Sequence, residues 1–146
     1  MKRIQLSRAK GWRMPSGAVK IDRTSVWGNP YRVVPDATNP ERFIVRNDAE
    51  PGKDCRFRSR TAAVAHAIAK FRAYAIGRMA REPDWLAPLR GKDLACWCKL
   101  CPRHRSAGKP LNEPCPDCDS CHADALMELA NEPTAKQWAL GKPGGA

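Results

Sequence analysis

Six of the chain's seven cysteines and two of its three histidines lie within one short stretch, residues 95–124. Thiolate sulfur and imidazole nitrogen are the ligands of structural zinc, which takes four of them in a tetrahedron. The stretch therefore carries enough donors for one ion or two. These donors are Cys96, Cys98, Cys101, His104, Cys115, Cys118, Cys121 and His122.

Two pairs of these donors have the spacing of zinc-binding turns. "CPRH" supplies Cys101 and His104, and "CPDC" supplies Cys115 and Cys118. A gap of two residues suits the metal, because a tight turn directs both side chains at one point. The segment between the pairs, "RSAGKPLNEP", contains nothing that could form a core, so ordering it without a metal would cost much entropy. We therefore predict a zinc ion held by these four side chains.

A competing assignment follows an ordinary zinc-ribbon spacing and leaves His104 free. Its ligands would be Cys98, Cys101, Cys115 and Cys118. The first set is favoured, because Cys98 lies on the same predicted strand face as Cys96 and can be committed elsewhere.

The four donors outside the favoured set are Cys96, Cys98, Cys121 and His122. They could form a second zinc site. Alternatively, Cys121, His122 and Asp124 could carry out nucleophilic or acid–base catalysis, because the start of a helix favours a thiolate or a bound anion. In a third alternative the thiols are simply packed in the core, where cysteine is common.

The hydrophobic pattern predicts the elements that position these donors. "RIQLSR" and "AVKIDR" alternate apolar and polar residues, as half-buried strands do. A helix begins near Thr61. Val64, Ile68 and Phe71 fall on one face of this helix. "GKDLACWC" predicts a further strand and "CHADALMELAN" a final helix. Residues 35–60 contain a possible strand, "RFIV", but much of this stretch is expected to be a surface excursion.

Strands and helices alternate along the chain, which predicts an α/β or α+β fold. We expect a small single-domain sheet with flanking helices, spanning residues 1–131 and carrying a zinc-stabilised loop insertion at residues 99–120. Residues 132–146 end in "GKPGGA" and are expected to be a disordered tail.

The charge of the chain predicts an anionic partner. The formal net charge is +11, and residues 1–32 carry eight Lys or Arg against one Asp. A nucleotide or a nucleic acid is the expected class of partner. No apolar run is long enough to span a membrane, and no apolar block follows the basic start, so a cytoplasmic location is expected. Disulfides are disfavoured there.

Residues of "RTSVWGNP" and "GWRMP" are candidates for binding this anion. Arg23 could bind a phosphate, Trp27 could stack on a base, and Asn29, beside Gly28, could form hydrogen bonds. Arg13 repeats the combination of a cation with a neighbouring tryptophan. Open sheets bind ligands beyond the carboxyl ends of their strands, where these motifs could meet the cysteines.

Two functions follow as hypotheses. In the first, the chain is an enzyme that acts on a nucleotide, nucleoside or nucleic-acid base in a pocket built from the WGNP, CWC and CHAD motifs, with Cys121, His122 and Asp124 at its centre. In the second, it is a non-catalytic, zinc-containing module that binds nucleic acid through its basic N-terminal strands. The sequence lacks the H-x-E motif that supplies the proton-shuttling glutamate of zinc deaminases, which disfavours that class.

The motifs "GWRMP…VKIDRTSVWGNPY", "LRGKDLACWC" and "CHADALMELAN", in this order, resemble a family of bacterial and phage proteins of unknown function, numbered 4326 among such domains. The resemblance covers roughly residues 3–131. It implies that Cys96, Cys98, Cys121 and His122 belong to the shared motif. Members often connect C-W-C to C-H-[AG]-D over a few residues, so the resemblance implies that residues 99–120 are an added metal-holding insertion. It implies no particular activity.

Overall fold

A computed structural model describes residues 1–131 of the protein, so the predicted tail lies outside the described residues. A 3-10 turn covers Ala87–Leu89, between the first helix and the sixth strand. In chain order the other elements are β1 (Lys2–Gln5), β2 (Val19–Lys20), β3 (Arg32–Asp36), β4 (Asn39–Arg46), β5 (Cys55–Phe57), α1 (Arg60–Arg81), β6 (Leu94–Cys96), α2 (Pro102–Ala107), β7 (Lys109–Pro110) and α3 (His122–Asn131).

The first sheet is mixed and has the strand order β2-β6-β1-β7. Strands β1 and β2 both pair in parallel with β6, and β7 pairs antiparallel with β1. Helices α1 and α3 pack against each other, and their buried side chains join those of β6 in the main core. Two mixed or antiparallel sheets with separate helices make this a small α+β domain, as predicted from the sequence.

The second sheet occupies most of the stretch that we expected to be a surface excursion. Strands β3, β4 and β5 form an antiparallel meander. Val45 is buried in it and packs with Ala63 and Ala67 of α1, while Val33 and Phe43 are half-buried against the same cluster. The expectation was wrong because one face of this segment is apolar and α1 covers it.

Helix α1 begins at the predicted position. Ser59 caps it, since its hydroxyl accepts a hydrogen bond from the backbone N–H of Ala62 at 3.1 Å. Phe71 is buried as predicted, but Val64 and Ile68 are only half-buried. The buried stripe passes instead through Ala63, Ala67, Phe71 and Ala75.

The segment 99–120 is more ordered than the sequence suggested. It contains helix α2 and strand β7, and the backbone of β7 pairs with that of β1. Gly108 turns the chain between them with φ +81°, and an added Cβ there would lie 3.0 Å from Cδ of Lys2. Part of the insertion therefore extends the main sheet. The described helices include none that is both long and apolar enough to cross a membrane.

Candidate metal centre and adjoining cavity

The structure brings together the four donors of the favoured set, which we call the insertion cluster: Cys101, His104, Cys115 and Cys118. Their ligand atoms all lie within 4.8 Å of one another, so the group could hold a metal ion. Nδ1 of His104 lies 3.4 Å from Sγ of Cys101 and 3.3 Å from Sγ of Cys118. Sγ of Cys115 lies 3.9 Å from Sγ of Cys101.

Helix α2 and its flanking turns position these side chains. Cys101 is the N-cap residue of α2, so His104 follows it on the first turn of the helix. The backbone N–H of Cys101 donates to Sγ of Cys118 at 3.3 Å, which is the kind of contact that a thiolate favours. Asp119 N–H donates to the carbonyl of Lys99 at 2.8 Å and closes the insertion at its base.

The imidazole of His104 is oriented from its far side. The ring is 2% exposed, and its Nε2 lies 3.3 Å from a carboxylate oxygen of Glu113. Glu113 is itself paired with Arg103. Nη2 of Arg103 lies 2.9 Å from the same Nε2 and can only donate a hydrogen bond, while Nδ1 of His104 faces the sulfurs of Cys101 and Cys118. Glu113 was not singled out from the sequence.

The thiols of the insertion cluster differ in acidity. Burial opposes ionisation of Cys115, but hydrogen bonds led by that of Cys118 lower the pKa of Cys115 to about 7. Burial raises the pKa of Cys118 to about 11. A metal ion at this site would therefore have to displace a proton from Cys118, since thiolates are the metal-binding form.

Cys98 belongs to a different group, which does not match the zinc-ribbon assignment. Together with Cys96 and Cys121 it forms the core cluster, whose three sulfurs also lie within 4.8 Å of one another. Sγ of Cys96 and Sγ of Cys121 are 3.0 Å apart. Hydrogen bonds from Cys121 and Cys96 lower the pKa of Cys98 to about 2, while the bond with Cys96 helps to raise the pKa of Cys121 well above its ordinary value. All seven cysteines are free thiols.

His122 lies beside the core cluster without joining it. Its Nδ1 is 3.7 Å from Sγ of Cys121, and its Nε2 is 2.8 Å from the carbonyl oxygen of Ile21. Burial lowers the pKa of His122, so the neutral ring is favoured. A neutral ring that donates from Nε2 to a carbonyl keeps a free lone pair at Nδ1.

A cavity of about 560 Å³ adjoins both clusters. Helix α1 forms its apolar wall with Val64 and Ile68, the two residues that our prediction had placed on one helix face with Phe71. Arg23, Arg60 and Lys99 supply positive charge, and Asp119 supplies the one carboxylate among the lining residues. The sulfur-bearing and imidazole side chains that line it are Cys98, Cys118, Cys121 and His122.

The structure places only some of the predicted anion-binding residues at this cavity. Arg23 and Asn29 line it. Trp27 does not, because its indole N–H donates to the carbonyl of Trp85 at 2.9 Å and its ring packs against the core. Gly28 is structural, since an added Cβ would lie 2.6 Å from Cα of Arg23. Arg13 is exposed and is not among the residues lining the cavity.

We predicted that Asp124 acts together with Cys121 and His122. Its carboxylate instead pairs with two cations. Its carboxylate pairs with Arg3 at 2.7 Å and with Lys109 at 3.2 Å. Arg3 is fully buried, although the alternation of its strand predicted an exposed cation. It also donates to the carbonyl of Asp119 at 2.7 Å. A buried guanidinium needs a counter-ion, and Asp124 provides it.

Asp22 is a further residue that sequence reasoning missed. Its Oδ1 accepts hydrogen bonds from the backbone N–H and hydroxyl of Thr24, at 3.1 and 2.6 Å. Its Oδ2 accepts from the indole N–H of Trp97 at 3.0 Å. Asp22 thereby links the loop that contains Arg23 to the segment that follows β6, next to Cys96 and Cys98. The D-x-T pattern of an Asx turn was the available signal.

Comparison with known proteins is consistent with the motif-based resemblance. Neither the curated proteins nor the solved structures contain a match to the chain. A family model matches residues 4–132, which include both clusters and the cavity. The chain therefore belongs to the family described as "Domain of unknown function (DUF4326)".

Proposed function

We propose that this protein binds zinc through the insertion cluster and that the adjoining cavity takes a ligand of the nucleotide class. The observation that carries the first part is the convergence of Cys101, His104, Cys115 and Cys118 within 4.8 Å. Zn–S bonds of about 2.3 Å arranged as a tetrahedron separate sulfurs by about 3.8 Å, which matches this spread.

The donor set favours zinc over other common ions. Three thiolates and one imidazole are soft or borderline ligands, whereas magnesium and calcium take oxygen ligands. Four protein donors fill a tetrahedral shell completely, which is the arrangement of structural zinc. The ion would hold the turn at Cys115 and Cys118 onto helix α2.

Metal analysis of the purified chain tests this assignment. Cys118→Ser should lose one zinc ion per chain relative to the unaltered protein, since serine is a poor zinc ligand. Cys55→Ser is the matched control, because Cys55 is also half-buried but lies on β5 in the second sheet. Equal zinc content in Cys118→Ser and Cys55→Ser would show that the insertion cluster does not bind the metal.

The charges around the cavity support an anionic ligand. Arg23, Arg60 and Lys99 outnumber Asp119 among the charged lining residues. Val64 and Ile68 offer an apolar wall on which a flat ring can lie. A phosphate group for the cations and a base for the apolar wall together describe a nucleotide.

Binding of adenosine monophosphate, followed by thermal shift, tests this second part. The nucleotide should raise the melting temperature of the unaltered protein, and Arg60→Ala should weaken that shift at equal concentration. Arg58→Ala is the control, since Arg58 is exposed two residues away and is not among the lining residues. No shift with any of the common nucleoside monophosphates would exclude this ligand class.

A second candidate function has its own observation. Residues 8–17 are all exposed and include Arg8, Lys10 and Arg13 beside Trp12, which is 36% exposed. Single-stranded nucleic acid binds to cations interleaved with aromatic rings. On this alternative, affinity for an oligonucleotide falls steeply as salt is raised and is reduced in Arg13→Ala, whereas Arg60→Ala leaves it unchanged.

A further inference from the structure

The core cluster has the geometry of a second metal site. Cys96 ends strand β6, Cys98 follows it by two residues, and Cys121 immediately precedes helix α3. Elements far apart in sequence therefore hold three sulfurs within 4.8 Å. One zinc ion would place them about 3.8 Å apart, between the 3.0 Å contact of Cys96 with Cys121 and the 4.8 Å limit.

Other arrangements of three thiols fit less well. A disulfide needs sulfurs about 2.05 Å apart and would leave the third thiol unpaired, whereas Cys96 and Cys121 lie 3.0 Å apart. A cubane iron–sulfur cluster distributes its cysteine ligands over several iron atoms. Three sulfurs that can share one coordination sphere instead fit a single ion.

The surroundings of the core cluster balance its charge. A divalent ion with three thiolates carries one net negative charge. Arg3 is fully buried and interacts electrostatically with all three cysteines, and Arg23 interacts with Cys98 and Cys121. Nε of Arg3 has no hydrogen-bond partner within residues 1–131. A buried anionic complex would therefore have two guanidinium groups beside it.

The three sulfurs leave one position of a tetrahedron unfilled. Cys98 and Cys121 line the cavity, and Cys96 is buried. His122 is not part of the group, and its ring is fixed by the carbonyl of Ile21 at 2.8 Å and by an edge contact with Phe71. Catalytic zinc sites differ from structural ones in this same respect, because they keep one position for water or substrate.

We propose that Cys96, Cys98 and Cys121 bind a second zinc ion whose fourth coordination position opens into the cavity and accepts water or an anionic oxygen of the bound ligand. When the divalent ion binds, those of the three thiols that still carry a proton release it to solvent.

Cobalt substitution of the full chain, with azide as the added ligand, tests the proposal. We expect two Co²⁺ ions per chain and a visible spectrum that changes when azide enters the open position. Cys118→Ser should keep one ion and the response to azide. Cys98→Ser should also keep one ion but lose the response. Cys55→Ser should behave as the unaltered protein does.

Two results would contradict the proposal. Two ions in Cys98→Ser, or a cobalt spectrum in Cys118→Ser that azide leaves unchanged, would overturn the proposal. Cys98→His provides a check on folding, because imidazole restores a ligand and should recover the second ion. The inference is independent of the insertion cluster: if Cys118→Ser loses no ion while Cys98→Ser loses one, the proposed function fails and the open site stands.

Discussion

Arg3 links the charge of the core cluster to the fold at the level of a single residue. It lies in the middle of the mixed sheet, 0% exposed, and its guanidinium reaches Asp124 on α3 and the carbonyl of Asp119 in the insertion. Three separate parts of the chain are therefore held by one side chain. Its partners lie more than a hundred residues away in sequence, so no local pattern could have predicted its burial.

Arg3→Met should lower the free energy of unfolding by about 3 kcal/mol. This value is at the lower end of the range for breaking a buried ion pair, because Asp124 is partly exposed. The loss comes from the carbonyl of Asp119, left without this donor, and from Asp124, left with Lys109 as its remaining cation. Arg32→Met is the control, since the Arg32–Asp48 pair is largely exposed and its loss should cost less than about 1 kcal/mol. Urea denaturation of both variants measures the difference, and equal costs would contradict the structural role of Arg3.

At the level of elements, the insertion has two supports of different kinds. Strand β7 pairs with β1 through the backbone, and this pairing does not depend on any ion. The turn at Cys115 and Cys118 has no such pairing and is tied to α2 through the insertion cluster. The two supports should therefore respond differently when metal is removed.

Chelation of zinc should accelerate amide hydrogen exchange in α2 and in residues 111–118, because the ligand turn and α2 lose their common anchor, whereas β7 stays paired with β1. Amides of α1 between Ala63 and Ala75 should keep their protection, since that helix is anchored by apolar contacts. Hydrogen exchange with mass spectrometry at peptide resolution measures both regions in one experiment. Unchanged exchange in α2 and in residues 111–118 after complete metal removal would mean that the ion does not order this part of the insertion.

Some of these elements and contacts could be predicted from the sequence alone. The start of α1 follows from local periodicity, and the pairing of Cys101 with His104 follows from two-residue spacing. In the second sheet, "RFIV" of β4 was a predicted strand, but β3 and β5 were missed because Pro35 and Pro40 interrupt the pattern and because the sheet packs on Ala63 and Ala67, far away in sequence. The core cluster needs β6 and the start of α3 to meet, which no spacing in the sequence encodes.

On the scale of the whole molecule, metal donors and positive charge meet at one cavity. Both clusters contribute to its wall, and so do Arg23, Arg60 and Lys99. The net charge of +11 predicted an anionic partner but not where it would bind. In the structure, part of that charge borders the cavity and part lies in the exposed residues 8–17. The charge at the cavity would serve nucleotide binding, the first candidate function, and the charge in residues 8–17 would serve binding of single-stranded nucleic acid, the second.

X-ray absorption at the zinc edge of the purified full chain tests the central claim most directly. We predict a first shell dominated by sulfur at about 2.3 Å, with a smaller nitrogen component at about 2.0 Å from His104. Outer-shell scattering typical of imidazole should weaken in His104→Cys, which keeps a fourth ligand. A chain that carries no zinc, or zinc surrounded only by oxygen and nitrogen, would contradict the account.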